Sequence, residues 1–168
     1  MKAKKVNLKF FPEGGNLVKG VPSQVAFEAT DAYGNPITLF GRIINRRKEE
    51  IGHFATIHEG RGVFTYIPTG EDADKAEVEL GGKKYRFDLP EVCSQGYVLH
   101  VDNLTSEDSI AVSVQKNTYT PSNLLGLAVI AHGKLLNSCL LNVGKNTPVS
   151  FKLDKSEWTP GVVQLVLF

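Results

Sequence analysis

The side chains able to bind a metal, move a proton or attack a carbonyl are few in this sequence, and they are scattered. His53 and His58 lie five residues apart. In an extended strand that spacing points two side chains to opposite faces, so the pair shares no metal without a bulge. Glu71-Asp72-Ala73-Asp74 places three carboxylates in one stretch, but calcium takes about six to eight oxygens in an ordered loop, and a solvated turn is the simpler expectation. Cys139 with His132 or His100 would form a nucleophilic pair. Its neighbours Leu135, Leu136, Leu140 and Leu141 predict a small buried apolar thiol instead. Nowhere do a nucleophile, a base and an orienting group accompany a Gly-rich oxyanion loop. No catalytic, cofactor-binding or metal-ligating residue is therefore assigned, and the expectation is a protein that is not an enzyme.

Charge excludes further classes. The 168 residues carry 19 basic and 18 acidic side chains, for a net charge of +1, so no overall field draws the chain to nucleic acid or anionic lipid. The one basic cluster, Arg46-Arg47-Lys48, runs directly into Glu49-Glu50 and reads as a solvated turn. Two cysteines, Cys93 and Cys139, are too few for a disulfide framework and lack zinc-site spacing; whether they bridge is not legible. No apolar run reaches the roughly 18 residues that span a bilayer, and the start, Met-Lys-Ala-Lys-Lys, has no apolar stretch after it. The last residues, Gly161 to Phe168, read as a strand without a polar tail. Both ends suit a segment of a longer protein.

The elements that must position these groups are strands. Val25, Phe27 and Ala29 alternate with Gln24, Glu28 and Thr30, which is the period of a half-buried strand. Tyr85, Phe87 and Leu89 alternate in the same way. Turn residues at Pro12–Asn16, Tyr33–Pro36, Glu59–Gly62, Pro68–Gly70, Gly81–Gly82, Gly144–Asn146 and Thr159–Gly161 separate the runs. Strands are predicted near 6–11, 24–31, 38–45, 51–58, 62–67, 75–80 and 83–89, then 97–102, 109–116, 125–132, 138–143, 148–153 and 162–168. Short strands at this spacing, with no helical stripe, predict an all-β protein of sandwiches. A break at Pro90–Gly96 divides it into residues 1–92 and 95–168.

The run Phe10-Phe11-Pro12-Glu13-Gly14-Gly15-Asn16-Leu17, continuing to Phe27, then Asp31-Ala32-Tyr33-Gly34-Asn35-Pro36 and His58-Glu59-Gly60-Arg61-Gly62 through Pro68, resembles segments of large Bacteroidetes cell-envelope proteins. Those proteins are strings of macroglobulin-type, immunoglobulin-like domains, often joined to a TonB-dependent receptor plug or a carboxypeptidase-regulatory-like domain. The likeness continues at Gly96–Leu99, Asp108–Val112 and Trp158–Phe168. It implies two consecutive immunoglobulin-like β-sandwiches in the periplasm, at the outer membrane or on the cell surface. The thioester motif of the protease-trapping macroglobulins does not occur, so trapping chemistry is not implied.

The function expected on that basis is a non-catalytic structural or interaction module, spacing or positioning other domains. Its partners would be other domains of the same parent or other envelope proteins, with no nucleic acid and no membrane insertion by this segment. The alternative is a carbohydrate- or peptide-binding sandwich in which Tyr33, Tyr66, Tyr119 or Trp158 forms a stacking platform. Asp108-Ser109-Ile110 resembles the tripeptide at which Bacteroidetes attach O-glycans, which makes Ser109 a candidate. Asn103-Leu104-Thr105 matches the eukaryotic N-glycan acceptor pattern.

Overall fold

The computed structural model describes residues 6–70, 74–145 and 147–168. The chain is all-β and divides into two compact units, Met1–Ser94 and Gln95–Phe168.

The first unit contains β1 (Asn7–Pro12), β2 (Leu17–Val18), β3 (Ser23–Thr30), β4 (Phe40–Ile44), β5 (Glu50–Ala55), β6 (Arg61–Tyr66), β7 (Lys75–Leu80), β8 (Lys83–Asp88) and β9 (Val92–Cys93). One antiparallel sheet has the order β1-β3-β6 and the facing sheet the order β5-β4-β7-β8. The chain changes sheets between β3 and β4, between β5 and β6, and between β6 and β7. That is the Greek-key path of an immunoglobulin-like sandwich.

Alternation along β3 buries Val25, Phe27 and Ala29 almost completely. Phe27 meets Phe54 of the opposite sheet edge-on at 5.0 Å, and Phe54 meets Phe64 at 5.3 Å. Two glycines make room for these rings. A Cβ on Gly62 would lie 2.6 Å from the Phe27 ring, and one on Gly41 would lie 2.3 Å from Phe54.

Pro12 ends β1, and Gly14 and Gly15 follow at φ 77° and 92°, the left-handed region open to glycine. That turn sends the chain into β2, which pairs in parallel with β9. Neither two-residue strand shows a period, and β9 lies inside the stretch that reads as a linker. The Asp31–Pro36 turn closes on a Thr30–Pro36 bridge, but the strands on either side of it belong to different sheets. It redirects the chain between layers and does not close a hairpin of paired strands.

The second unit contains β10 (Tyr97–Asp102), β11 (Ser109–Lys116), β12 (Leu124–Ala131), β13 (Lys134–Asn142), β14 (Val149–Asp154) and β15 (Val163–Leu167). Its sheets have the orders β10-β11-β14 and β13-β12-β15. They enclose Leu99, Ile110, Val112, Val114, Leu125, Leu127, Leu141 and Val143. This is the strand order of the first unit with β10 to β15 in the places of β1, β3, β4, β5, β6 and β7. Among the described residues no strand takes the place of β8.

β13 is longer than the predicted 138–143. His132 and Gly133, at φ 51° and 74°, form a two-residue primed turn, and pairing begins at once with Ala131 opposite Lys134.

Candidate functional site

Three polar constellations and one groove hold the side chains of greatest chemical interest. Across the outer face of the four-stranded sheet, His53 stands opposite Arg42, Arg42 opposite Glu77, and Glu77 opposite Arg86. Arg42 donates to Glu77 Oε1 at 2.6 Å, Arg86 donates to Oε2 at 2.9 Å, and Lys84 Nζ lies 3.9 Å away. The stems of these cations cover Glu77 to 4% exposure, although it faces outward. Hydrogen bonds from Arg42 and Arg86 hold its carboxyl below the ordinary glutamate value of 4.5. A carboxylate held that low is a poor proton acceptor; it binds three strands together. His53 stacks on Phe40, with ring centroids 6.0 Å apart.

At the end of β6 the buried Tyr66 hydroxyl donates to Asp74 Oδ2 at 2.5 Å, and Thr69 Oγ1 donates to the same oxygen at 3.1 Å. Burial, then the Asp74 hydrogen bond, pushes the Tyr66 phenol well above its usual range. Tyr66 is only 4% exposed, so it offers no stacking surface, contrary to the aromatic platform expected of it. Its hydroxyl is satisfied inside the fold, which is what permits a tyrosine there. Glu71, Asp72 and Ala73 of the predicted acidic loop lie outside the described residues.

In the second unit Lys116 ends β11 and is buried. Its ammonium donates to Thr120 O at 2.9 Å, Ser122 O at 2.8 Å and Asn123 Oδ1 at 2.6 Å. Thr120 Oγ1 in turn accepts from Gly96 N at 2.7 Å. The lysine thus closes the connection from β11 to β12, with all three of its protons donated.

The groove lies on the outer face of the β1-β3-β6 sheet, where Phe11, Ala26 and Val63 stand in register. The Arg61–Glu28 pair at 3.1 Å borders it, with Ile57 and His58. Phe11 and Val63 are each about half exposed. The groove is open, about 430 Å³, and almost wholly apolar.

The predicted candidates do not converge. His53 belongs to the charged row, and His58 lies beyond β5 in a bridge with Arg61. Among the described residues no group of three or more His, Cys, Asp or Glu side chains could hold a metal. His132 forms the β12–β13 turn, Cys139 lies about 15 Å along the same hairpin, and His100 is on β10 in the other sheet. Cys139 is exposed, not buried as its leucine neighbours predict. β13 is an edge strand on which only Leu141 is covered, and Leu135, Leu136 and Leu140 are exposed as well. Cys93 and Cys139 are both free thiols.

Tyr33, 89% exposed, sits on the Asp31 turn. Tyr119 is exposed beyond the end of β11, and Trp158 is half-buried in the connection beyond Asp154, which pairs with the start of β11. The last two thus lie at opposite ends of their sheet and form no common platform. Ser109 is half-buried and donates to Ser106 Oγ at 2.9 Å. Asn103 Oδ1 accepts from Lys155 at 2.7 Å. The Arg46–Lys48 cluster is the exposed β4–β5 turn, and the Asn45 side chain holds it by accepting from Arg47 N and Glu49 N.

Sequence reading passed over Arg42, Glu77, Arg86 and Lys116. The first three are joined by cross-strand register, which cannot be read from one chain. The only available signal was that all three sit on the polar phase of their strands.

These arrangements define a class of fold: two consecutive immunoglobulin-like β-sandwiches. No family model matches the sequence, and no curated protein matches it. Among solved structures the chain is similar to E. coli alpha-2-macroglobulin in its native conformation, at 13% identity and a TM-score of 0.35. The match covers 90% of this chain and 12% of the length of that one. The fold class rests on strand order and register, and not on this likeness.

Proposed function

We propose that the chain is a non-catalytic structural and interaction module of a larger exported cell-envelope protein, built from macroglobulin-type sandwiches that space or position other domains. The observation that carries this reading is the use made of the charged and buried polar groups. Glu77 joins β4, β7 and β8, Asp74 receives Tyr66 and Thr69, and Lys116 closes a loop. Each is occupied in holding strands or connections, and groups so saturated have little capacity left for a substrate. The resemblance of the Phe10–Phe27 block supports placement in the periplasm or at the outer membrane, and the turn residues in that block redirect the chain, which is a scaffold role.

A second reading, a carbohydrate- or peptide-binding sandwich, is favoured by the apolar groove at Phe11, Ala26 and Val63 and by the exposed rings of Tyr33 and Tyr119. A glycan microarray, with a glycosidase, esterase and peptidase panel on the purified chain, decides between them. The module reading predicts neither stoichiometric glycan binding nor turnover. Saturable glycan binding that is lost in Phe11→Ala would establish the second reading. Turnover abolished by changing His53, His58, His100 or His132 would overturn both.

A further inference from the structure

β13 is the longest described strand, at nine residues, and it lies at an edge of its sheet. Its place is that of β5 in the first unit, which likewise pairs with one strand only. The open side of β13 is thus a property of the strand order, repeated in both units. Val143 N donates to Asn123 O at 2.7 Å. In an antiparallel ladder bonded pairs recur at every second residue, so Leu141, Cys139 and Asn137 bond to β12 as well. The N–H and C=O groups of Ser138, Leu140 and Asn142 therefore face the open side.

Strand edges are normally guarded by charge, proline or a bulge. On β13 the bulge, at Leu136, and the one charge, Lys134, both lie toward the turn. The stretch from Asn137 to Asn142 is left regular, uncharged and without proline. The sheet beside it is just as neutral. In the first unit the matching sheet carries the Arg42–Glu77–Arg86 row on its outer face; in the second, Lys134 is the only charged side chain on β12, β13 and β15. Leu140, 70% exposed, stands opposite Gly126, where an added Cβ would lie 2.5 Å from the Phe168 ring. Leu124, Leu140 and Phe168 form one exposed apolar patch that runs up to the open edge.

We propose that the β13 edge is a docking site for a second copy of this chain, the two β13 strands pairing antiparallel about a two-fold axis at Leu140. A two-fold axis sets a strand against its own reverse, and the choice of centre decides which side chains meet. An axis at 138 places the bulged Leu136 opposite Leu140. One at 139 or 141 sets Leu140 against a polar residue, Ser138 or Asn142. An axis at 140 sets Leu140 against Leu140, Cys139 against Leu141 and Ser138 against Asn142, which is like with like over regular backbone. It also joins the apolar patches of the two copies across the axis, with no charge to be buried there. Main-chain hydrogen bonds supply affinity and the facing side chains fix the register, as in other strand-addition complexes. This goes beyond the module reading: glycan binding or turnover would sink that reading without altering the mass and exchange measurements described next.

The test is sedimentation equilibrium on the full chain at concentrations up to about 1 mM, which reaches even weak association, with amide hydrogen exchange by NMR over the same range. The mass should rise toward twice that of the monomer. Exchange at Ser138, Leu140 and Asn142 should slow by about ten-fold or more as it does, while Cys139 and Leu141, already bonded to β12, change little. Leu140→Lys sets two ammonium groups against each other at the axis and should return the monomer with its dispersed spectrum intact. Register is read from single cysteines in a Cys93→Ser, Cys139→Ser background. Bonded residues that face each other lie about 5.5 Å apart, within reach of a disulfide, so Leu140→Cys should link two copies on mild oxidation and Ser138→Cys should not. A monomer at every concentration would overturn the proposal. So would protection that maps to another strand, or linkage through Ser138→Cys in place of Leu140→Cys.

Discussion

Phe27 is enclosed by Phe54 and Phe64 and by the space that Gly62 leaves open, so its removal cannot be absorbed by small shifts. Phe27→Ala should cost about 3–5 kcal/mol through lost transfer energy and a residual cavity. A small domain holds only about 5–15 kcal/mol, so the first unit should be unfolded or nearly so in thermal denaturation followed by circular dichroism. A loss below about 1 kcal/mol would mean that the ring is not central. Gly62→Ala attacks the same contact from the other side. Its Cβ would meet both the Phe27 ring and the Ala55 carbonyl oxygen, at 2.3 Å, and backbone cannot yield cheaply, so a loss of about 1–3 kcal/mol is expected from overpacking. Glu77 gives a pH dependence. Its folded pKa is depressed, so its contribution is fully present above 4.5 and is lost as pH falls through the lower folded value. The first unit should weaken on acidification below about pH 4.5, and Glu77→Gln should flatten that limb of the pH–stability curve. An unchanged limb would show that the row of cations does not hold this carboxylate. Phe27 was legible in the sequence because alternation alone marks an inward face. Glu77 was not, because its partners are chosen by register across three strands.

Most strands were legible, since a period of two with turn residues at each end needs no tertiary information. β2 and β9 were not, because two residues in parallel pairing show no period. β13 was half-read. The bulge between Val129 and Ile130 shifts the phase against β12, which hides alternation, and the leucines that suggested a buried strand lie on an edge. Lys116 carries no signal in the sequence that sets it apart from a solvated lysine, yet it is buried and closes the β11–β12 connection. Lys116→Met would leave Thr120 O and Asn123 Oδ1 without the lysine donor, while Ser122 O would keep the Tyr97 hydroxyl at 2.7 Å. Of these residues only Thr120 is buried, and an unsatisfied buried acceptor costs about 1–3 kcal/mol, so a loss of about 1–3 kcal/mol in urea denaturation is expected. Lys116→Arg should recover little, because a planar guanidinium does not reproduce three converging ammonium bonds. Stability unchanged in both variants would mean that water serves the loop equally well.

At the scale of the molecule, each unit has its own core drawn from two facing sheets, and the connection between them is shorter than the sequence implied. Val92 and Cys93 pair with Leu17 and Val18, and Lys19 N donates to Cys93 O at 3.0 Å, so these residues belong to the first unit. Early proteolytic cleavage should therefore fall at the exposed Ser94 and Gln95 and spare 90–93, since exposed backbone outside strand pairing is cut first. Cleavage beginning at 90–92 would contradict the β2–β9 pairing. The central claim, that the chain is two sandwiches with separate cores, is tested most directly by expressing residues 1–94 and 95–168 separately and recording the amide NMR spectrum of each. Each fragment should give a dispersed, β-type spectrum, with the 95–168 fragment unfolding at the lower denaturant concentration because its β15 edge is uncovered. Collapsed spectra from both fragments, with a dispersed spectrum from the whole chain, would show a single cooperative unit and contradict the claim.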